Sequence, residues 1–196
     1  ALTQVTLTDP VDAIRMNFPA VTLKLQTGWS LDLLERVRSG TLDAAVVLLP
    51  AEEQMPEGLM GEEAGKERLV IVAPRHGRPA RVRQISDLAG VPWILSPEGC
   101  STRARLRRSL LKAGVDLHVA VETYNYELQL SLVAKNRGLG FVPERILKRS
   151  RSRNRLRTLR VAGLEFPLTI WTAQRQPVTG FQPVVAELNS MLSQRL

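Results

Sequence analysis

The sequence predicts an α/β protein built as two lobes, and three observations carry that prediction. Apolar, β-branched runs alternate with segments of helical period along the chain. These runs fall into two clusters, one before Pro74 and one after it. A last strand and helix are then left over and must pack somewhere. If they return to the first cluster, the backbone crosses between lobes twice, near residues 73–79 and 160–168. Two crossings make a hinge with a cleft beside it, and clefts of this kind are where ligands bind. Lobe I is then residues 1–73 with 166–196, and lobe II residues 74–165.

In chain order, VTLKLQ (21–26) and LDAAVVLL (42–49) read as strands with Gly or Pro nearby. Between them SLDLLERVRSG has Leu31, Leu33, Leu34 and Val37 at helical spacing, with Ser30 as N-cap and Gly40 as the stop. Together they read as a βαβ unit with a right-handed crossover. RLVIVAP (68–74) is a buried strand ended by Pro74, and PWILS (92–96) is the next. A helix from about Ser101 to Ala113 stops at Gly114. LHVAVE (117–122), YELQLSLVAKN (126–136) and LGFVP (139–143) read as strand, helix and strand. FPLTIWTAQR (166–175) is a long strand, and VTGFQPVVAELNSMLSQRL closes the chain with an amphipathic helix.

The length of 196 residues is enough to bury a core, and 44% apolar with 23% charged residues is ordinary for a globular protein. No apolar run approaches the roughly 18 residues that span a bilayer, and the first residues lack the layout of a secretory signal. One cysteine excludes an internal disulfide and a cysteine-built metal site, and fits a reducing compartment. A net charge of +8 points to anionic partners or to solubility alone. The charge is uneven. Residues 43–67 hold Asp43, Glu52, Glu53, Glu57, Glu62, Glu63 and Glu67 against Lys66, whereas RILKRSRSRNRLRTLR (145–160) holds eight basic residues and no acid.

Three stretches carry a family resemblance. FPAVTLKLQTGWSLDLLERVRSGTLDAAVV is similar to a signature of LysR-type transcriptional regulators: aromatic-Pro, an apolar strand, a short Gly loop, a helix, and Gly-x-Leu-Asp opening the next strand. GCSTRARLRRSLLKAG after PWIL resembles the Gly-Cys-Ser-x-Arg element of some members, and GLGFVPERIL resembles their Gly-x-Gly-apolar-apolar-Pro segment. The order is kept over residues 1–196. VAKNRGLGFVP departs from the Ala-Gly that members often have, and Asn136 is a residue that tolerates the left-handed backbone there. The resemblance implies an effector-binding domain of two α/β lobes, with the fold of type 2 periplasmic binding proteins. It also implies a winged helix-turn-helix and linker helix, which are not in this sequence. The first central strand reads as cut, because ALTQVTL resembles the segment just after that strand. The chain thus reads as a fragment of a cytoplasmic regulator that forms side-by-side dimers within tetramers. DNA is bound only through the missing domain, and no membrane is involved.

For a ligand, two helix starts matter, because unpaired N–H groups and a partial positive charge hold anions. They are TGWS (27–30) and GCST (99–102), with Thr27, Ser30, Ser101 and Thr102 as hydroxyl donors and Gly28 in the first loop. Plain capping is the competing use of the same residues. The resemblance adds Thr3 and Gln4, Ser96 and Pro97, Thr123 to Asn125, and Val142 with Pro143. Trp29 is a pocket wall or lid, or else a core or dimer-interface tryptophan. Cys100 is a small pocket or capping residue, with thiol chemistry beside Arg103 as an alternative that lacks a resolving cysteine. Arg103, nearest the helix start, is the residue to pair with a carboxylate, and Arg107 shares its face. Glu98 and Glu122 are candidate paired carboxylates or effector-orienting groups. The Arg-rich tract is a solvated loop or a secondary contact to DNA or a partner surface.

No Ser-His-Asp set, phosphate loop or HExxH appears, so no catalytic residue, cofactor or metal is assigned. The expected function is a ligand-sensing domain that takes a small anionic effector in the inter-lobe cleft and controls DNA binding by the full-length protein. A solute-binding protein of a transport system is the alternative, and an enzyme on the same architecture a more distant one.

Overall fold

The computed structural model describes residues 8–77, 79, 82–175 and 180–194. The chain divides into two compact units, residues 1–66 with 168–196 and residues 67–167. The first division falls at Lys66/Glu67, seven residues before the boundary expected at Pro74. The reason is one long strand, β2 (Leu59–Pro74), which continues through both units. Its first half escapes a reading by pattern because Glu62, Glu63, Lys66 and Glu67 interrupt the apolar run.

In unit 1 the first described element is helix α1 (Thr8–Asn17), which was not expected from the sequence. Residues 21–26, expected as a strand, pair with no strand among the described residues. The βαβ unit is therefore not formed as expected. Helix α2 (Ser30–Arg38) instead lays Leu33, Leu34 and Val37 on Ala45, Val47 and Leu49 of β1 (Ala44–Pro50). The alternating burial of β1 reflects one face packed on the core. Ser30 is not the N-cap. Trp29 holds that position, and the Ser30 hydroxyl accepts a hydrogen bond from the Leu48 N–H at 3.1 Å. Strand β1 pairs antiparallel with β7 (Phe166–Arg175), from Ala44 opposite Gln174 to Pro50 opposite Leu168. The final helix α6 (Gln182–Ser193) buries Leu192 against Ala64 and Ile170.

In unit 2 the second half of β2 is flanked by two antiparallel neighbours. Ile71 pairs with Phe141 of β5 (Leu139–Pro143) on one side and with Leu159 of β6 (Leu156–Leu159) on the other. Strand β3 (Trp93–Leu95) then runs parallel to β5, and β4 (Val119–Glu122) parallel to β3. Helices α3 (Ser101–Lys112), α4 (Tyr126–Ala134) and α5 (Glu144–Arg149) connect or follow these strands. Leu130 and Val133 of α4 pack on Val72, Ile94 and Val142, which forms the core on that side. Asn136 has φ +59, the left-handed value expected of it, so the turn before β5 is kept without glycine.

Candidate functional site

Topology marks a location in unit 2 before any side chain is considered. From β3 the chain runs through α3 to β4 on one side, whereas α4 carries it back across to β5 on the other. After β5 it proceeds through α5 to β6, which pairs with β2. The connections thus leave the carboxyl ends of β3 and β5 in opposite directions. Such switch points open a crevice in α/β sheets, and ligands bind there. Ser96 and Pro97 follow β3, and Val142 and Pro143 end β5, so four of the expected residues fall at this place. Val142 and Pro143 are buried and paired with Val70 and Leu69. What they offer there is backbone and apolar wall.

The loops around this point are tied to one another. The Thr123 N–H donates to the Leu95 carbonyl at 2.9 Å, joining the end of β4 to the end of β3. Thr123 Oγ1 accepts from the Asn125 N–H at 3.1 Å, and Asn125 Oδ1 accepts from the Leu128 N–H at 3.0 Å. Asn125 is therefore the N-cap of α4. An Asn125→Ala substitution should cost about 1 kcal/mol, read as a lower urea midpoint, while Asn125→Asp should retain most of it. Equal midpoints for Asn125→Ala and the parent would remove the cap from the account.

Arg103 occupies the centre of this arrangement. Its Nη1 donates to the Ser96 carbonyl at 3.2 Å and to Glu122 Oε1 at 2.7 Å, and its Nη2 lies 3.6 Å from Glu98 Oε1. The side chain is only 12% exposed, so its charge is held by the chain's own carboxylates. The two glutamates singled out in the sequence are thus brought together, on a guanidinium. Cys100 is the N-cap of α3, is buried, and has its Sγ 2.9 Å from Thr102 Oγ1. Ser101 and Thr102, partly buried, form the first turn. Among the described residues no group of three His, Cys, Asp or Glu could hold a metal ion.

Sequence reasoning missed two residues here. Tyr126, which opens α4, hydrogen-bonds the Ser96 side chain, and burial pushes its hydroxyl up to about 12, with the nearby Cys100 acting in the same direction. Gln129, one turn further on, is fully buried and donates from Nε2 to the Ile94 carbonyl, leaving Oε1 without a partner among the described residues. A polar residue facing the apolar side of α4 was the signal that could have found it. A hollow of about 390 Å³ also opens beside Arg103 along α3, with Glu98 and Glu122 at one end and Leu111 and Leu117 further along.

In unit 1, Thr27 and Gly28 are exposed and Trp29 is partly buried at the start of α2. A Cβ on Gly28 would sit 3.1 Å from Asp32 Oδ2 and 3.2 Å from Leu33, so glycine allows the loop to lie close on the first helical turn. Thr3 and Gln4 lie outside the described residues. No helix among the described residues is long and apolar enough to cross a membrane.

Comparison with known proteins adds the family. The LysR substrate binding domain model matches residues 1–185. The uncharacterised HTH-type transcriptional regulator YwbI of Bacillus subtilis (strain 168) is 32% identical over 136 residues, covering 68% of this chain and 44% of that protein. The chain thus spans less than half the length of this relative. The regulatory domain of CcmR from Synechocystis PCC6803, solved in complex with 2-PG, superposes with a TM-score of 0.76 at 17% identity, over 96% of this chain and 90% of that one. The effector binding domain of QuiR, in complex with shikimate, gives 0.70 at 12% identity, over 99% and 91%. The fold is therefore the two-lobed α/β fold expected, that of type 2 periplasmic binding proteins, and the chain belongs to the LysR substrate-binding domain family.

Proposed function

We propose that this chain is the effector-sensing part of a bacterial transcription regulator, and that a small anionic molecule binds at the carboxyl ends of β3 and β5 in unit 2. The observation that carries the reading is the convergence there of a topological switch point with the start of α3, whose first-turn N–H groups suit an anion. The Ser101 and Thr102 hydroxyls supply further donors, and Ser96, Pro97, Thr123 and Asn125 line the loops. Cys100 is a wall residue. Because Arg103 already holds Glu98, Glu122 and the Ser96 carbonyl, its role is to position the loop after β3. Thr27, Gly28 and Trp29, at the start of α2, are proposed as effector contacts on their own unit. In support, two neighbours of the same fold hold small organic molecules, 2-PG and shikimate. The relatives are HTH-type transcriptional regulators, which gives the transport reading no footing. The whole protein is proposed to be cytoplasmic and non-catalytic, to assemble as dimers or tetramers, and to bind DNA through a helix-turn-helix outside this chain.

The test is a thermal-shift screen of small carboxylates, sugar acids, amino acids, sulfate and phosphate. A ligand at about 100 times its Kd adds about 2.7 kcal/mol, which raises Tm by roughly 5–10 °C for a chain of this size. With a hit in hand, Ser101→Ala and Thr102→Ala should each weaken binding roughly tenfold, the loss of one charge-assisted hydrogen bond, without lowering the ligand-free Tm. Arg103→Gln should weaken binding and lower the Tm together, because it frees the loop. Unchanged affinity in both Ser101→Ala and Thr102→Ala would remove this location as the site.

A further inference from the structure

The charge of this protein is concentrated to an unusual degree. Residues 128–164 hold ten Lys and Arg and a single carboxylate, Glu144, a net +9 in a chain whose whole net charge is +8. The remaining residues balance to −1, so the basicity belongs to this stretch alone. Glu144 is already engaged by Arg68 and Lys148.

Within the stretch, residues 150–155 form a pinned turn between α5 and β6. Ser150 and Ser152 point inward and are buried. Ser150 Oγ donates to Glu127 Oε1 at 3.0 Å and also accepts the Ser152 N–H at 3.0 Å. The arginines between and after them are turned outward. Arg151 and Arg153 are exposed and have no partner among the described residues, and the exposed Arg155 reaches only the Ser152 hydroxyl at 3.3 Å. Arg75 is added by its N–H bond to the Arg155 carbonyl at 2.8 Å, with its own guanidinium meeting only the Asn154 carbonyl. Four exposed arginines are thus carried by one turn and the strand end bonded to it, and none of them forms an ion pair among the described residues; the carboxylate at this turn, Glu127, accepts from the Ser150 hydroxyl.

The composition of this face selects among anionic partners. Among the described residues the exposed large apolar side chains are Met16, Leu25, Leu31, Leu111, Val121, Tyr124, Leu128 and Phe181, so residues 128–164 include only Leu128, at their first position, and none lies between Lys135 and Arg160. A protein interface of normal stability is built around an apolar core, which this face lacks. The only Phe, Trp or Tyr between those limits is Phe141, which is buried, so this stretch offers no Phe, Tyr or Trp ring on which unpaired bases could stack. Guanidinium groups without apolar or stacking neighbours match the phosphate backbone of a duplex, where contacts are charged, hydrated and indifferent to sequence.

We propose that the turn carrying Arg151, Arg153 and Arg155, with Arg75 beside it, is a sequence-independent binding surface for the phosphate backbone of double-stranded DNA. It is separate from effector binding and does not depend on that reading.

The test is the affinity of the 196-residue chain for a random-sequence duplex of about 25 base pairs, by fluorescence anisotropy across KCl concentrations. Binding should be micromolar at low salt, and the log–log slope against salt should be about −3 for three to four phosphates released of counterions. An R151S/R153S variant should bind at least tenfold more weakly at low salt and lose about two units of slope, with its melting temperature unchanged. R151K/R153K should bind nearly as the parent does. R15S/K24S, the same charge change at exposed residues of unit 1, should leave affinity and slope almost as they were. Equal losses in R151S/R153S and R15S/K24S would show that net charge alone is responsible and overturn the proposal. So would binding without a salt slope. If R151S/R153S abolished a salt-sensitive self-association while duplex binding persisted, the occupant of this face would be a second copy of the chain, and the proposal would equally fail.

Discussion

Gly138→Ala should destabilise the protein by about 3 kcal/mol. Gly138 has φ +152, and a Cβ placed there would lie 2.6 Å from the Pro92 carbonyl oxygen. That oxygen belongs to backbone and cannot swing aside. It accepts the Leu139 N–H at 2.8 Å, at the point where β3 and β5 begin to pair. An alanine must adopt a backbone conformation worth about 1–3 kcal/mol of strain. It must also displace a buried hydrogen bond worth about 1 kcal/mol. The melting temperature should fall by roughly 6–12 °C at about 2–4 °C per kcal/mol. Gly90→Ala is the control: its φ is +68, but a Cβ there meets nothing within 4 Å. It should cost only about 1 kcal/mol. A Gly138→Ala protein as stable as Gly90→Ala would show that the close approach to Pro92 is not rigid. The second glycine of the same segment has a different reason. Gly140 runs under α4, where a Cβ would be 3.1 Å from Val133, so the Gly-x-Gly pattern combines a backbone requirement with a packing one.

The second large effect is a loss of stability in alkali that depends on Tyr126. Burial, assisted by Cys100, pushes this phenol to about 12 against an ordinary value of 10. In the unfolded chain the phenol ionises from about pH 10, whereas in the folded protein it stays neutral until about pH 12. Stability is therefore fully present below pH 10 and falls through the window from 10 to 12, by about 2–3 kcal/mol. Urea unfolding of the parent and of Tyr126→Phe at stepped pH should give curves that are parallel up to pH 10. Above it the parent should fall more steeply, by up to about 1.4 kcal/mol per pH unit. The tyrosinate absorbance that Tyr126 contributes to the folded protein, read as the difference between the parent and Tyr126→Phe, should rise only beyond the usual range. Curves that stay parallel above pH 10 would mean that the hydroxyl is open to water. At neutral pH the Tyr126 hydroxyl is protonated and hydrogen-bonds Ser96 at the carboxyl end of β3.

Much of the fold is legible in the sequence. LGFVP is the strand Leu139–Pro143, and FPLTIWTAQR is the strand Phe166–Arg175, at the residues expected. The α3 helix begins at Ser101, with Gly114 at φ +71 just past its end. These elements are legible because their signals are local: period, branching at Cβ, and a glycine or proline at the boundary. The loops expected around a ligand are legible by position for a related reason, since they come directly after strand ends.

Other features depended on what lies opposite in space. VTLKLQ has the composition of a strand, but a strand needs a neighbour, and among the described residues it has none. LMGEEAGKER has no apolar run that marks it as a strand, yet it forms half of β2 because β7 lies alongside, with Glu62, Glu63 and Lys66 exposed and Glu67 held by Arg145. Leu156 and Leu159 alone give too little pattern to reveal β6 within an arginine tract, and only the pairing with Ile71 to Pro74 makes it a strand. Arg103 shows the same division within the site. Its place one turn into a helix start marks it in the sequence as an anion partner. The tertiary structure gives that charge to Glu122, at the end of a different strand, and to Glu98. The sequence by itself determined the α/β class, the helix starts and the localised charge, all properties of neighbouring residues. Which charges are neutralised, and which edges are paired, was decided by tertiary structure, because both depend on groups that only folding brings within a few ångströms.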